Sequence, residues 1–428
     1  ASITLWRALE NRRPKAWKAK NLVDKYLFSP LMVHRIFCES LLNRHSLRNK
    51  YRYTMNQSIK ASIILIIGIV FFFPSVSAFG KKKEADPEKA VLHILNWSEY
   101  IDIDSRVEWI PMANRSPLLR QFMRENNCRI EYHEYDSESE MLKKLLHNPG
   151  YYDIVIITSD LIPEFVRSGL LRALKGEQEN ILASVPEKIK KELKSGKHYF
   201  GVPYLTGITG IVFSTRHTGQ KPSAWQDYFN PGPDDSVLAP DSAYNLFFAM
   251  QYLQLDPRQK DQNNIRKAAS AFRRLIEEKK IKFSTSTRAC EAVASGQATW
   301  GVAYSGDVLR KIRDGKDIDF IIPEEGTEYF IDTMVIPTDA PNPELAIAFT
   351  RFIQQPGINA KLAEATLFTP ANTRAQKILR GKLPEKYKKI MFPSRSEIMR
   401  SEIIKNTPDK YWRRWWRWAV KSYSGAGR

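Results

Sequence analysis

Cysteine, histidine and long apolar runs are all scarce in this chain of 428 residues, and each scarcity removes a class of protein. Of three cysteines, only Cys128 and Cys290 lie beyond residue 78, so at most one disulfide can form there. Cys128 opens a strand pattern and Cys290 sits near a helix start far downstream, so two separate thiols are expected and not a bridge. Of seven histidines, His34 and His45 lie near the beginning, and His93, His133, His147, His198 and His217 are scattered without metal-ligand spacing. No metal is expected. There is no Gly-x-Ser-x-Gly elbow and no phosphate-cradling loop, and Gly207-Ile208-Thr209-Gly210 lacks the lysine and spacing of a nucleotide site. Neither a cofactor nor an enzymatic activity is expected. The longest uncharged apolar run, Ala61 to Phe73, has thirteen residues, fewer than the roughly 20 that a membrane-spanning helix needs.

What is abundant is positive charge, but it is unevenly placed. The formal net charge is +19. Residues 1–54 carry 12 basic and 3 acidic side chains, whereas residues 79–428 carry 53 and 44, so about half the excess precedes residue 79. A nucleic-acid partner is therefore not expected. Residues 55–78 have the parts of a cleavable secretory signal: Lys60, the apolar run, then Pro74-Ser75-Val76-Ser77-Ala78 with small residues before a cleavage point at Phe79. No cysteine stands directly after that point to carry a lipid. Residues 1–54 read as upstream sequence translated from a start set too early, and residues 79–89 as a linker.

From Val91 onward, apolar strand-like runs alternate with amphipathic stretches of helix length, which implies an α/β fold with mainly parallel strands. Strands are expected at Val91 to Leu95, Ile130 to Tyr135 and Asp153 to Ile157. The helices between them are Pro117 to Glu125 and Glu138 to Leu146, the latter with Met141, Leu142, Leu145 and Leu146 on one face. A further helix, Ile162 to Ser168, stops at Gly169. A second α/β region follows, with strands at Gly210 to Ser214 and Thr299 to Tyr304 and helices at Asp241 to Leu253 and Asn264 to Lys279. The strand-like Tyr329 to Ile336 and helical Pro343 to Gln354 repeat the first region's character, so the chain is expected to cross between two lobes more than once. Near the end, Trp412, Trp415, Trp416 and Ala419 share one helical face, so a terminal helix docked on the second region is expected.

Ligands of open α/β sheets bind beyond the carboxyl ends of strands. Those ends here carry Asn96-Trp97-Ser98-Glu99-Tyr100, then Thr158-Ser159-Asp160, then Tyr304, and Phe330-Ile331-Asp332 lies within a strand. Carboxylates and ring faces together suit an organic cation with a methylene chain: ammonium groups pair with the acids, and the chain packs between rings.

The order of Asn96-Trp97-Ser98-Glu99-Tyr100, Tyr152-Asp153-Ile154-Val155, Val202-Pro203-Tyr204, Gly301-Val302-Ala303-Tyr304-Ser305-Gly306, and Glu325-Gly326 leading to Asp332 and Ile336-Pro337 resembles the spermidine/putrescine-binding periplasmic proteins. That resemblance runs from about Val91 to Leu379. It implies a type II periplasmic binding protein fold with lobe 1 at residues 90–206 and 333–366, and lobe 2 at 207–332 and 367–428. The ligand pocket it implies comprises Trp97, Ser98, Glu99, Tyr100 and Thr158 from the first lobe. From the second come Asp241, Tyr304, Phe330, Asp332 and Phe368. Two positions depart from the pattern: Tyr244 replaces a carboxylate, and Asp160 replaces an aromatic. Trp97 for a ring face, with Glu99 and Asp332 for ammonium ends, lead this set. The resemblance further implies a monomer in the periplasm that hands a polyamine to an inner-membrane ABC permease. A sensor that signals to a membrane receptor, or a binder of another small solute, would use the same fold.

Overall fold

The computed structural model describes residues 89–423 apart from 105–108, 177, 217–220, 241, 259–260, 279, 404–409 and 422. The upstream segment 1–54, the signal 55–78 and the linker up to residue 88 lie outside the described residues, as do Asp241 and His217.

Twelve described strands are β1 (Val91–Trp97), β2 (Arg129–Tyr135), β3 (Ile154–Thr158), β4 (Lys194–Ser195), β5 (His198–Tyr199), β6 (Gly201–Ser214), β7 (Val237–Ala239), β8 (Ile281–Phe283), β9 (Trp300–Tyr304), β10 (Ile318–Ile321), β11 (Tyr329–Val335) and β12 (Thr369–Pro370). β4 and β5 form a small pair of their own; the others make one sheet in the order β2-β1-β3-β11-β6-β9-β7-β8, with β10 and β12 also on β6. Its flanks are parallel, as expected: β1 with β2 and β3, and β7 with β8 and β9. Its centre corrects the expectation, because β11 and β6 run antiparallel to their neighbours. The chain returns through these two strands to join the flanks.

β6 is the longest strand and every residue in it is buried. It starts at Gly201, nine residues before the expected Gly210, because the apolar run continues through Val202-Pro203-Tyr204. Its first half pairs with β11 and its second with β9 and β10. Proline cannot donate to a ladder, and the register slips beside it: Asp332 faces Leu205 but Thr333 faces Pro203, so Tyr204 is passed over. The carbonyls at this bulge go to side chains instead, Pro203 O to Gln354 at 2.5 Å and Tyr204 O to Asn359 at 3.2 Å.

Helices start where the sequence supplies caps. Ser116 accepts from Leu119 N ahead of Pro117–Glu125, which buries Leu118, Leu119 and Phe122. Ser137 caps Glu138–His147, which buries Met141 and Leu142 and leaves Leu145 and Leu146 half-buried. Helices also cover Ile162–Arg167, Gln262–Glu277 and Pro343–Ile353, close to expectation, but the helix expected from Asp241 begins at Asn245. Asp153 is a structural acid: it accepts from His93 N at 2.9 Å and Asn342 N at 2.5 Å, tying β1 to the start of the Pro343 helix. Glu325 and Gly326 are structural as well, holding Trp225 N at 2.9 Å and its indole N–H at 2.8 Å.

The terminal helix Lys410–Val420 docks as expected: Trp412, Trp416 and Ala419 are buried with Phe272 and the rest of the Gln262–Glu277 face, and Trp415 is half-buried. Cys128 and Cys290 are both buried and free. Among the described residues no helix is long and apolar enough to cross a membrane, and no group of histidine, cysteine and acidic residues could hold a metal ion.

Candidate ligand-binding site

Three adjoining strands, β1, β3 and β11, and β9 on the far side of β6, supply most of the candidate residues near the middle of the sheet. The turn after β1 is built by Asn96, which is buried; its amide donates to Tyr132 Oη at 2.8 Å, and its oxygen accepts from Trp97 N at 2.8 Å. Glu99 then takes a left-handed φ of 57°, uncommon for a residue with a side chain. That reversal folds Tyr100 back into the core, 4% exposed. Its hydroxyl donates to Asp332 Oδ2 at 2.8 Å, and its carbonyl accepts from Tyr204 Oη at 2.8 Å. The bulge at Tyr204 thus braces the residue that holds Asp332.

Rings surround this contact. Tyr100 and Phe368 meet edge to face at 4.9 Å, Phe368 and Phe330 at 6.1 Å, and Phe330 and Tyr304 at 5.3 Å. Two glycines let the rings in: a Cβ on Gly207 would overlap the Phe330 ring, and one on Gly306 the Phe368 ring. Tyr304 itself is exposed.

The acids here are oriented by hydroxyls. Asp332, 6% exposed, is pushed up to about 7 by burial, although the Tyr100 hydrogen bond pulls the other way; the charges of Glu328 and Asp160 add to the rise. Asp160 accepts from Tyr244 Oη at 2.7 Å. The two positions that depart from the expected pattern therefore touch each other, an acid and an aromatic exchanged across one hydrogen bond. Burial and the Asp160 charge hold the Tyr244 phenol well above its usual value, so it remains a donor.

Thr158 lies opposite Asp332 in the β3·β11 register and is half-buried. Trp97 packs against Tyr135 at 4.3 Å, and its indole N–H is buried without an acceptor among the described residues. Ser98 is half-buried, its amide on Tyr135 O at 3.1 Å. Glu99, one of the two leading acids, points outward: its carboxylate is 74% exposed and lies 3.5 Å from Arg310, which also donates to Glu99 O at 2.9 Å. Its left-handed backbone turns the side chain toward the helix Ser305–Arg313, where Arg310 is held by Asp307 at 2.6 Å. Two residues with roles here escaped the sequence reading, Glu328 and Arg310. Glu328 could have been found by alternation, since Glu328, Phe330 and Asp332 share one face of an extended segment. Arg310 left no local signal.

A profile of bacterial extracellular solute-binding proteins matches residues 150–394, more than half of the chain. The chain belongs to this family. It is a family of solute binders and not of enzymes. A spermidine/putrescine-binding periplasmic protein of Salmonella typhimurium is 23% identical over 329 residues, covering 76% of this solute-binding protein and 89% of the relative. The putrescine-binding periplasmic protein SpuD of Pseudomonas aeruginosa is 24% identical, covering 70% and 82%. Among solved structures, the spermidine/putrescine ABC transporter substrate-binding protein PotD of Streptococcus pneumoniae superposes with a TM-score of 0.65 at 23% identity, over 78% of this chain and 99% of that one. MotA of A. tumefaciens B6, in complex with glucopine, gives 0.60 at 16% identity over 78% and 98%. The fold is the type II periplasmic binding protein fold, as expected.

Proposed function

We propose that this protein captures a linear polyamine of the putrescine or spermidine type between two lobes and delivers it to an ABC-type inner-membrane permease. The observation that carries this reading is Asp332. It is buried, oriented by a phenol and walled by rings, and it has no lysine or arginine partner among the described residues. An ammonium group is the counter-charge such an acid lacks, and the rings suit the intervening methylenes. The names of the curated relatives, which bind spermidine and putrescine, support the same class of ligand.

In this reading the two lobes, 90–206 with 333–366 and 207–332 with 367–428, meet within β6 and close over the ligand by hinge motion. Trp97, Tyr100 and Thr158 face the ligand from the first lobe; Tyr304, Phe330 and Phe368 do so from the second. Glu99 instead latches to Arg310. The chain is exported through the signal at 55–78 and acts in the periplasm as a monomer.

A melting-temperature panel on the purified protein tests the proposal. Putrescine or spermidine should raise the melting point, because binding to the folded state alone stabilises it, while sugars, dicarboxylates and neutral amino acids should not. A shift with a sugar or an anion, and none with any amine, defeats it.

A further inference from the structure

Glu328 immediately precedes β11 and lies outside the pocket that the resemblance implies. Its carboxylate Oε2 accepts from Thr209 Oγ1 at 2.8 Å, and its carbonyl accepts from Thr209 N at 3.0 Å. Burial pushes it up to about 7 against the pull of that hydroxyl, and the Asp160 charge raises it further. Thr209 pairs with Tyr304 across β6 and β9, so the hydroxyl that holds the Glu328 carboxylate belongs to the residue opposite Tyr304, and the Glu328 charge contributes to the raised values of Asp332, Tyr244 and Tyr304. Three carboxylates, Asp160, Glu328 and Asp332, thus share one region, each oriented by a neutral hydroxyl from Tyr244, Thr209 and Tyr100 respectively. Glu138, at the start of its helix, adds a fourth acidic charge felt at Tyr244 and Tyr304.

A hydroxyl fixes a carboxylate without neutralising it, so the remaining lone pairs still seek a cationic donor. Neither Glu328 nor Asp332 has a lysine or arginine partner among the described residues. The pairing of Tyr329, Phe330, Ile331 and Asp332 with Ile208 back to Leu205 is regular, so the segment from Glu328 to Asp332 is extended. Four residues of strand span roughly 13 Å. The Phe330 ring lies on the same face between the two acids, against Tyr304 and Phe368.

We infer that Glu328 is a further ligand-binding carboxylate, which holds a second ammonium group of a linear amine whose first ammonium lies on Asp332. The separation favours an amine of triamine length over a four-carbon diamine. This deepens the proposed function and rests on it.

Calorimetric titration of the full-length protein with spermidine, putrescine and butylamine tests the inference in the wild type, Glu328→Gln and Thr209→Val. The wild type should bind spermidine at least about tenfold more tightly than putrescine. Glu328→Gln should erase that preference while changing putrescine affinity less than about threefold. Thr209→Val, which removes the brace and keeps the acid, should retain the preference. An unchanged spermidine affinity in Glu328→Gln overturns the inference, as does an equal loss for all amines in both variants, since Glu328 would then merely brace Thr209. If Glu328→Gln does not fold, proton release by the wild type decides: near pH 7, spermidine should release more protons than putrescine, and equal release overturns the inference. A wild type that binds no amine at all would instead overturn the proposed function.

Discussion

Replacing Asp332 with Asn removes one charge while keeping the side chain's size and an oxygen that can still accept from Tyr100. The carboxyl sits at about 7 in the folded protein against an ordinary 3.8. That displacement of roughly three pH units, at about 1.4 kcal/mol each, means ionised Asp332 costs the free protein on the order of 4 kcal/mol above pH 7. Because the folded state holds the proton more tightly, the site's contribution to stability is fully present below pH 4 and is lost as pH rises toward 7. A bound ammonium group reverses this cost, so Asp332→Asn should weaken polyamine binding by about 2 to 5 kcal/mol, roughly 30-fold or more. The unliganded variant should melt no lower than the wild type, and higher at pH 8. Calorimetric titration with melting curves at pH 5 and pH 8 reads both halves. An affinity change below about threefold would refute the reasoning, as would an unliganded variant that melts much lower at pH 8, for then Asp332 has a structural cation as its partner.

Polyamine affinity should fall as pH is lowered from 8 to 5, with protons released on binding near pH 7, because Glu328 and Asp332 both sit at about 7 and a cation favours their ionised forms. Titration in two buffers of different ionisation enthalpy measures the release, and a pH-independent affinity refutes it. Glu99→Gln should change amine affinity less than about threefold, because that carboxylate is 74% exposed and lies near Arg310; a drop beyond about tenfold would put it on the ligand. Gly207→Ala should push Phe330 out of place, lower stability by about 1 to 3 kcal/mol and weaken binding about tenfold; unchanged melting and affinity would show that the ring does not line the ligand.

Much of the fold was legible because its causes are local. Ser116 and Ser137 mark helix starts through their own hydroxyls, alternation marks β2, and short apolar runs mark β1 and β11. The spacing of Trp412, Trp416 and Ala419 announced a buried helical face before any partner was known. Phe330 and Asp332 could be selected for their residue types within a strand, and Glu328 shares the same alternation.

What the sequence by itself determined is which residues carry apolar faces, where elements begin and end, and which strands bring acids and rings together. Only the tertiary structure decided which acid faces which donor. Tyr100 and Asp332 are separated by 232 positions and Tyr244 and Asp160 by 84, so neither hydrogen bond has a local signature. The left-handed turn at Glu99 and the bulge opposite Thr333 set side-chain directions that periodicity cannot report, because each breaks the regular period on which such reading depends. Glu99 is therefore turned to Arg310 and Asp332 to Tyr100, although the sequence presents the two acids alike.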